Sequence, residues 1–293
     1  MRHRIRHITE YTYDEQVPLC HNVVHLQPRD TDRQTCLSTC INITPEPASR
    51  RDRLDFYGNH VTSLTLQEPH DHLRIESKSE VDVRPFQPPE LFRWPAWEEV
   101  AQQIRRRLEP AFLDARQYTF DSPHIPRHPD LAAFAATSFT PGRSTWDAVE
   151  ELSERIHSGF KFDSTVTTIG TPVLDVLKHR HGVCQDFAHL MIGSIRSLGL
   201  AARYVSGYLV THPPPGKPRL VGADASHAWV SVFFPDYGWV DFDPTNGCIP
   251  SYEHITVGWA RDYEDISPVK GVIVGGQGHA LTVAVDVEPI AAE

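Results

Sequence analysis

Residues 181–190 read HGVCQDFAHL, and the fold turns on how this stretch is read. Gly182 precedes a single cysteine, Cys184, and an apolar repeat follows it. Phe187, Leu190, Met191, Ile195 and Leu198 recur at spacings of three and four, the stripe of an amphipathic helix, and Gly199 supplies its stop. Cys184 thus opens a helix. The first turn carries unpaired N–H groups and the positive end of the dipole, which favour an anion. Thiolate is the nucleophilic form of cysteine, and the same N–H groups suit an oxyanion on an attacked carbonyl. Position alone leaves two readings open, a nucleophile and a small buried core residue. A nucleophile needs a base, and the base needs an orienter.

Two later stretches offer both. DASHAWVSVFF, 224–234, alternates as a strand, with His227, Trp229, Ser231 and Phe233 on one face. GWVDFDPTN, 238–246, is a second strand, ended by Pro244, with Trp239, Asp241 and Asp243 in phase. Pro235, Asp236 and Gly238 between them predict a hairpin. A hairpin symmetric about Pro235 puts His227 opposite Asp243, with Cβ atoms roughly 5 Å apart. There the carboxylate would fix the imidazole tautomer and stabilise imidazolium. Asp241, on the same face, is the rival orienter.

The rest of the chain reads as two units. At 293 residues it exceeds one typical domain. Residues 1–83 are β-patterned: in HLRIESKSEVDV, Leu73, Ile75, Val81 and Val83 alternate with charged residues, and Gly58-Asn59 marks a turn between two strands. Residues 84–100, RPFQPPELFRWPAWEEV, are a proline-rich linker. Residues 101–293 place helices before antiparallel strands, an α+β order. Ser144 caps a helix carrying Val149, Leu152 and Ile156, and TPVLDVLKHRHG, 171–182, is a short helix with Pro172 at its start. The tail, 269–287, reads as a β-hairpin extension turning at Gly275–Gly278, too small to stand alone.

Composition narrows the function classes. Hydrophobic residues make up 40% and charged residues 23%, as in a globular protein with a core. The formal charge of −10 argues against a nucleic-acid partner. No apolar stretch is long enough to span a bilayer, and MRHRIRHITEYTYDEQ lacks the apolar core of a signal peptide. The expectation is a cytoplasmic protein with no membrane partner. Five unevenly spaced cysteines do not form a disulfide framework. Cys36 and Cys40 lie in TCLSTCINIT, a strand pattern with Leu37, Thr39, Ile41 and Ile43 on one face. Residues four apart in a strand are separated by roughly 13 Å, too far to share a zinc ion. His124 and His128 sit among prolines that exclude an ordinary helix, in a surface loop.

Three blocks, GVCQDFAHLMIGSIRSLGLAARYVSGYL, DASHAWVSVFFP and YGWVDFDPTNG, resemble the core of the transglutaminase-like superfamily in its bacterial branch. The resemblance spans roughly 140–250. Residues 1–83 are similar to the β-rich region that precedes this core, and RDYEDISPVKGV, 261–272, to its usual tail. The resemblance implies a papain-like fold, a cysteine helix packed on an antiparallel sheet, with Cys184, His227 and Asp243 on the catalytic positions. It also implies preference for Asp243 over Asp241. Gln185, Asp186, Tyr204 and Tyr208 are candidate cleft residues.

The expected chemistry is acyl transfer through a thioester on a peptide, protein or small amide substrate, without cofactor or metal. Hydrolysis needs no second binding site and leads. Transamidation follows from the same triad, and a peptide-binding module built on exposed strand edges is a further alternative. A metal site of Cys184, His181 and His189 is the last, weakened because His189 points to a different helix face from Cys184.

Overall fold

The computed structural model describes residues 1–87, 93–211, 225–276 and 278–290. Six strands come first: β1 (Arg2–Val17), β2 (Leu19–Val24), β3 (Gln34–Thr44), β4 (Ser49–Leu54), β5 (His60–Leu66) and β6 (His70–Val83). Period-2 burial runs along β6 from Leu73 to Val83, where Leu73, Ile75, Val81 and Val83 are buried as their alternation predicts. β3 departs from its pattern. A bulge between Cys36 and Ser38 shifts the register, so Leu37 turns outward while Ile41 stays in the core. At the β4–β5 turn, Gly58 takes φ +76° and the Asp55 carboxylate accepts the N–H groups of Tyr57 and Asn59.

The helices follow: α1 (Trp97–Arg106), α2 (Pro110–Gln117), α3 (Pro129–Ala136) and α4 (Thr145–Gly159). The linker expected over 84–100 ends earlier, since α1 begins at Trp97. Its first turn carries Glu98 and Glu99, and Trp97 Nε1 donates to the Thr140 carbonyl. Residues 88–92 of that linker lie outside the described residues. Ser144 caps α4, with Val149, Leu152 and Ile156 fully buried. His128 is not simply a loop residue: its Nδ1 caps α3 by accepting from Asp130 N–H.

A short parallel pair, β7 (Lys161–Phe162) and β8 (His181–Gly182), brackets α5 (Val173–His179) and leads into α6 (Cys184–Ser197). α6 is more deeply buried than a one-sided stripe: every residue from Asp186 to Arg196 is buried. The buried guanidinium of this helix is satisfied internally. Arg196, 1% exposed, donates to the carbonyls of Phe120, Ala202 and Arg261. The sheet beneath is antiparallel, ordered β11 (Gly238–Phe242), β10 (Ala225–Phe234), β9 (Ala202–Leu209), β12 (His254–Ala260). A buried helix on this sheet is the predicted α+β, papain-like core.

The tail corrects the sequence reading. β13 (Val269–Val274) and β14 (His279–Ile290) do not form a hairpin with each other. β13 pairs with β2 in the sheet β13-β2-β5-β4, and β14 pairs with β1 in the sheet β14-β1-β6-β3. Each takes an edge that the N-terminal strands leave open. The two sheets face each other across Tyr13, Ile41, Leu73 and Ile75 on one side and Cys20, Val24, Leu64 and Leu66 on the other. Towards its other end the β1-containing sheet packs on the α/β core instead, where Ile5, Val81, Val285 and Val287 meet Tyr208, Val210, Ile255 and Val257.

Candidate active site

The loop between β8 and α6 sets the cysteine. A Cβ on Gly182 would come within 2.7 Å of the Asp186 carboxylate, so only glycine fits there. That carboxylate accepts from Val183 N–H and the Thr167 hydroxyl, which fixes the first turn of α6. Cys184 is the first helical residue and is half-buried.

His227, on β10, is hydrogen-bonded to Asp243 and has the Cys184 sulfur as a neighbour across the cavity they both line. Its Nε2 lies 2.7 Å from Asp243 Oδ2, leaving Nδ1 as the ring nitrogen for the thiol. The route to this contact differs from the expected one. β10 and β11 pair Phe234 with Gly238 and Ser231 with Asp241, a hairpin centred on Asp236 rather than Pro235. Counted from Phe234 the loop holds Pro235, Asp236 and Tyr237, two residues more than a turn about Pro235 allows, and Asp236 adopts φ +62° to close it. Asp243 is therefore a diagonal neighbour of His227, just past the end of β11. Cross-strand diagonals are about 7–8 Å between backbones, within reach of a carboxylate and an imidazole.

Asp243 is fully buried. Oδ1 accepts from the N–H groups of Thr245 and Asn246. Oδ2 accepts from His227 Nε2, from Asn246 Nδ2 at 2.7 Å and faces His254 Nε2 at 3.0 Å. Burial alone would raise this carboxyl, but the hydrogen bonds from His227 and His254 outweigh it and hold it far below the usual carboxylate range. Burial alone would likewise lower His227. The hydrogen bond to Asp243 and the neighbouring Cys184 sulfur reverse that and raise it to about 10. Asp241, the rival orienter, accepts from Trp229 Nε1 and pairs with Arg33. Sequence reasoning missed His254 and Asn246. Asn246 lies inside the DPTN block, whereas nothing in SYEHITV marks His254.

Among the described residues, His227, Asp243 and His254 bring donor atoms within 4.8 Å of one another. The contacts of 2.7 and 3.0 Å are hydrogen-bond lengths. Ligands held about 2.0–2.1 Å from a tetrahedral zinc ion are roughly 3.3 Å apart, so the set as placed does not fit that ion. Nor do Cys184, His181 and His189 gather. His189 Nε2 accepts from Tyr263 N–H, its ring stacks on His124, and burial pushes it down to about 3. His181 stacks on His179.

Of the other cleft candidates, Gln185 and Tyr204 line a cavity of about 460 Å³ at Cys184. Burial, and then the neighbouring Cys184 sulfur, keeps the Tyr204 phenol protonated far above its ordinary range. Asp186 serves the helix cap. Tyr208 packs against His7 in the interface with the N-terminal sheet. The opposite wall of the cavity belongs to that sheet, through His7, Thr9 and Tyr11 of β1 and Leu281, Val283 and Val285 of β14.

Comparison with known proteins identifies the family and the fold. Residues 3–82 match the profile of the bacterial transglutaminase-like N-terminal region, and residues 132–244 that of the transglutaminase-like superfamily. An uncharacterised protein of Mycobacterium tuberculosis is 41% identical over 98% of this chain and 93% of its own length. One from Mycobacterium leprae is 32% identical over 99% of both. A protein-glutamine gamma-glutamyltransferase of Pseudomonas aeruginosa is 38% identical over 72 residues, 24% of this chain and 11% of that protein. A solved structure from Cytophaga hutchinsonii, assigned provisionally to the cysteine proteases, superposes with a TM-score of 0.77 at 18% identity. That match covers 100% of this chain and 92% of that one.

Proposed function

The chain belongs to the transglutaminase-like superfamily, and on that premise we propose that it is a cysteine-dependent acyl-transfer enzyme acting on an amide or peptide bond. The juxtaposition of Cys184 with His227 on one cavity, and the 2.7 Å hydrogen bond from His227 to the buried Asp243, carry this reading. With its proton already on His227, Cys184 Sγ bonds to the amide carbonyl carbon. The tetrahedral oxyanion takes a hydrogen bond from the Cys184 N–H, an unpaired donor of the first helical turn. His227 then protonates the leaving nitrogen, the C–N bond breaks, and a thioester remains. Asp243 holds the ring and stabilises imidazolium throughout.

Water is the acceptor in this proposal. It attacks the thioester, gives its proton to His227 and releases the acid, so the net reaction is hydrolysis. The local likeness to a gamma-glutamyltransferase supports a second reading, in which an amine replaces water and forms a new amide. Mass spectrometry of products from a peptide and amide library, run with and without added amine, tests both. Acids at equal yield in both arms support hydrolysis, and amine adducts support transamidation. No product in either arm, with Cys184 intact, overturns the proposal.

A further inference from the structure

β1 and β14 are longer than the core of the β-sandwich requires. One face of this pair passes from the sandwich core at Tyr13 to the junction at Ile5, Val285 and Val287, and between them it crosses the Cys184 cavity. Three cross-strand pairs occupy that middle stretch, His7–Val285, Thr9–Val283 and Tyr11–Leu281. His7 and Thr9 are buried and bonded to each other, Nε2 to Oγ1 at 3.0 Å. Leu281 and Val283 are 53% and 47% exposed, although Val285 and Val287 on the same face are buried. Their free surface therefore borders a cavity that also holds the nucleophile.

Among the described residues, the cavity lining carries no fixed charge beyond the catalytic pair, and no Asp, Glu, Lys or Arg lines it. The histidine on the sandwich wall, His7, is lowered to about 4 by burial and is neutral near pH 7. An ionic substrate group would lose its hydration here with no counter-charge to replace it. An apolar group would cover Leu281 and Val283 and remove their surface from water.

We propose that the β1–β14 face is the subsite for the part of the substrate next to the attacked carbonyl, that it takes an uncharged, apolar side chain, and that Leu281 and Val283 set this selectivity. The proposal rests on the acyl-transfer reading, because the subsite is defined by its distance from Cys184. It makes the N-terminal β-layer and the last strand of the chain part of the substrate site.

Three alkylating probes test it on the whole chain: iodoacetamide, its N-hexyl derivative and its N-(5-carboxypentyl) derivative. Each forms an S–C bond at Cys184 and expels iodide, and the last two differ chiefly in the terminal carboxylate. Covering a methylene accelerates capture by about fourfold, so wild type should react with the hexyl probe at least about tenfold faster than with the carboxypentyl probe. Leu281→Asn and Val283→Asn should each cut that preference to about threefold or less, each long probe being read relative to iodoacetamide on the same variant. Val272→Asn, exposed on β13 and not lining the cavity, should leave it intact. Equal rates of the two long probes in wild type, or a preference that survives both Asn variants, overturns the subsite alone. Failure of iodoacetamide to select Cys184 overturns the acyl-transfer reading first. If the Asn variants unfold, Leu281→Gln and Val283→Thr are read by the same criterion.

Discussion

Asp243 holds His227 from a diagonal position, not a facing one: Oδ2 lies 2.7 Å from Nε2, though the strand register would set Trp229 opposite Asp243. The carboxylate has just left the strand, so the ladder no longer fixes it. The turn that follows does so instead, through the N–H groups of Thr245 and Asn246, while Asn246 and His254 fill the second oxygen. A buried anion with this many donors is rigid, and a rigid anion defines the imidazole plane.

Removing that anion should separate stability from catalysis. Asp243→Ala strands buried donors on His227, His254 and Asn246 and should cost about 3–5 kcal/mol of stability. Asp243→Asn keeps the shape and should cost less, but lose about 10³–10⁴-fold in kcat by favouring the wrong tautomer. Urea melts and turnover on one substrate check both. Equal loss of stability in the two variants would contradict the assigned role of the charge.

The pH dependence of stability follows from the same pair. The depressed Asp243 contributes stability above its ordinary pKa of about 4, and this is lost as pH falls below that value. The raised His227 contributes fully below its ordinary pKa of about 6.5, and loses its contribution as pH rises through about 10. The stability gap between wild type and Asp243→Asn should therefore be widest between about pH 4 and 6.5 and narrow on both sides. Urea midpoints from pH 3 to 10 measure it, and a gap independent of pH would refute the pairing.

The two tail strands should matter to folding where they are buried and not where they are exposed. Val287 is fully buried against the α/β core, and Val287→Ala should cost about 2–3 kcal/mol. Val272 is 69% exposed on β13, and Val272→Ala should stay within about 0.5 kcal/mol. Denaturant midpoints of the two variants decide this.

Much of this arrangement is legible in the sequence because it is local. Gly182, the apolar repeat after Cys184 and the cap at Ser144 act within one or two turns, and the α+β order follows from counting elements. What is not legible depends on long-range pairing. Hairpin register turned on Asp236 tolerating a left-handed conformation. β14 was free to pair with any open edge, and its choice of β1 follows from packing Val285 and Val287 on β9 and β12. His254 reaches Asp243 only because β12 pairs with β9, which no short motif announces.

Cysteine reactivity should single out Cys184. Cys184→Ala and Cys184→Ser should fold normally and lose at least about 10⁴-fold in turnover, since a serine hydroxyl is far less acidic than a thiol. Wild-type iodoacetamide labelling near pH 7 should favour Cys184 over the other four cysteines. Cys20 is fully buried, and burial raises both it and Cys36. Cys248 is raised to about 11 by burial and then by Asp243 and Glu253. Cys184 has the raised His227 beside it, whereas Cys20 meets His70 Nε2 at 3.8 Å inside the core. His227→Ala should slow Cys184 labelling near pH 7, because the cation beside the sulfur is gone. Asp243→Ala should do so less, since the imidazole remains beside the thiol. Peptide mass spectrometry across pH 5–10 reads all three proteins, and equal labelling of Cys184 and Cys248 at every pH would leave the triad without support.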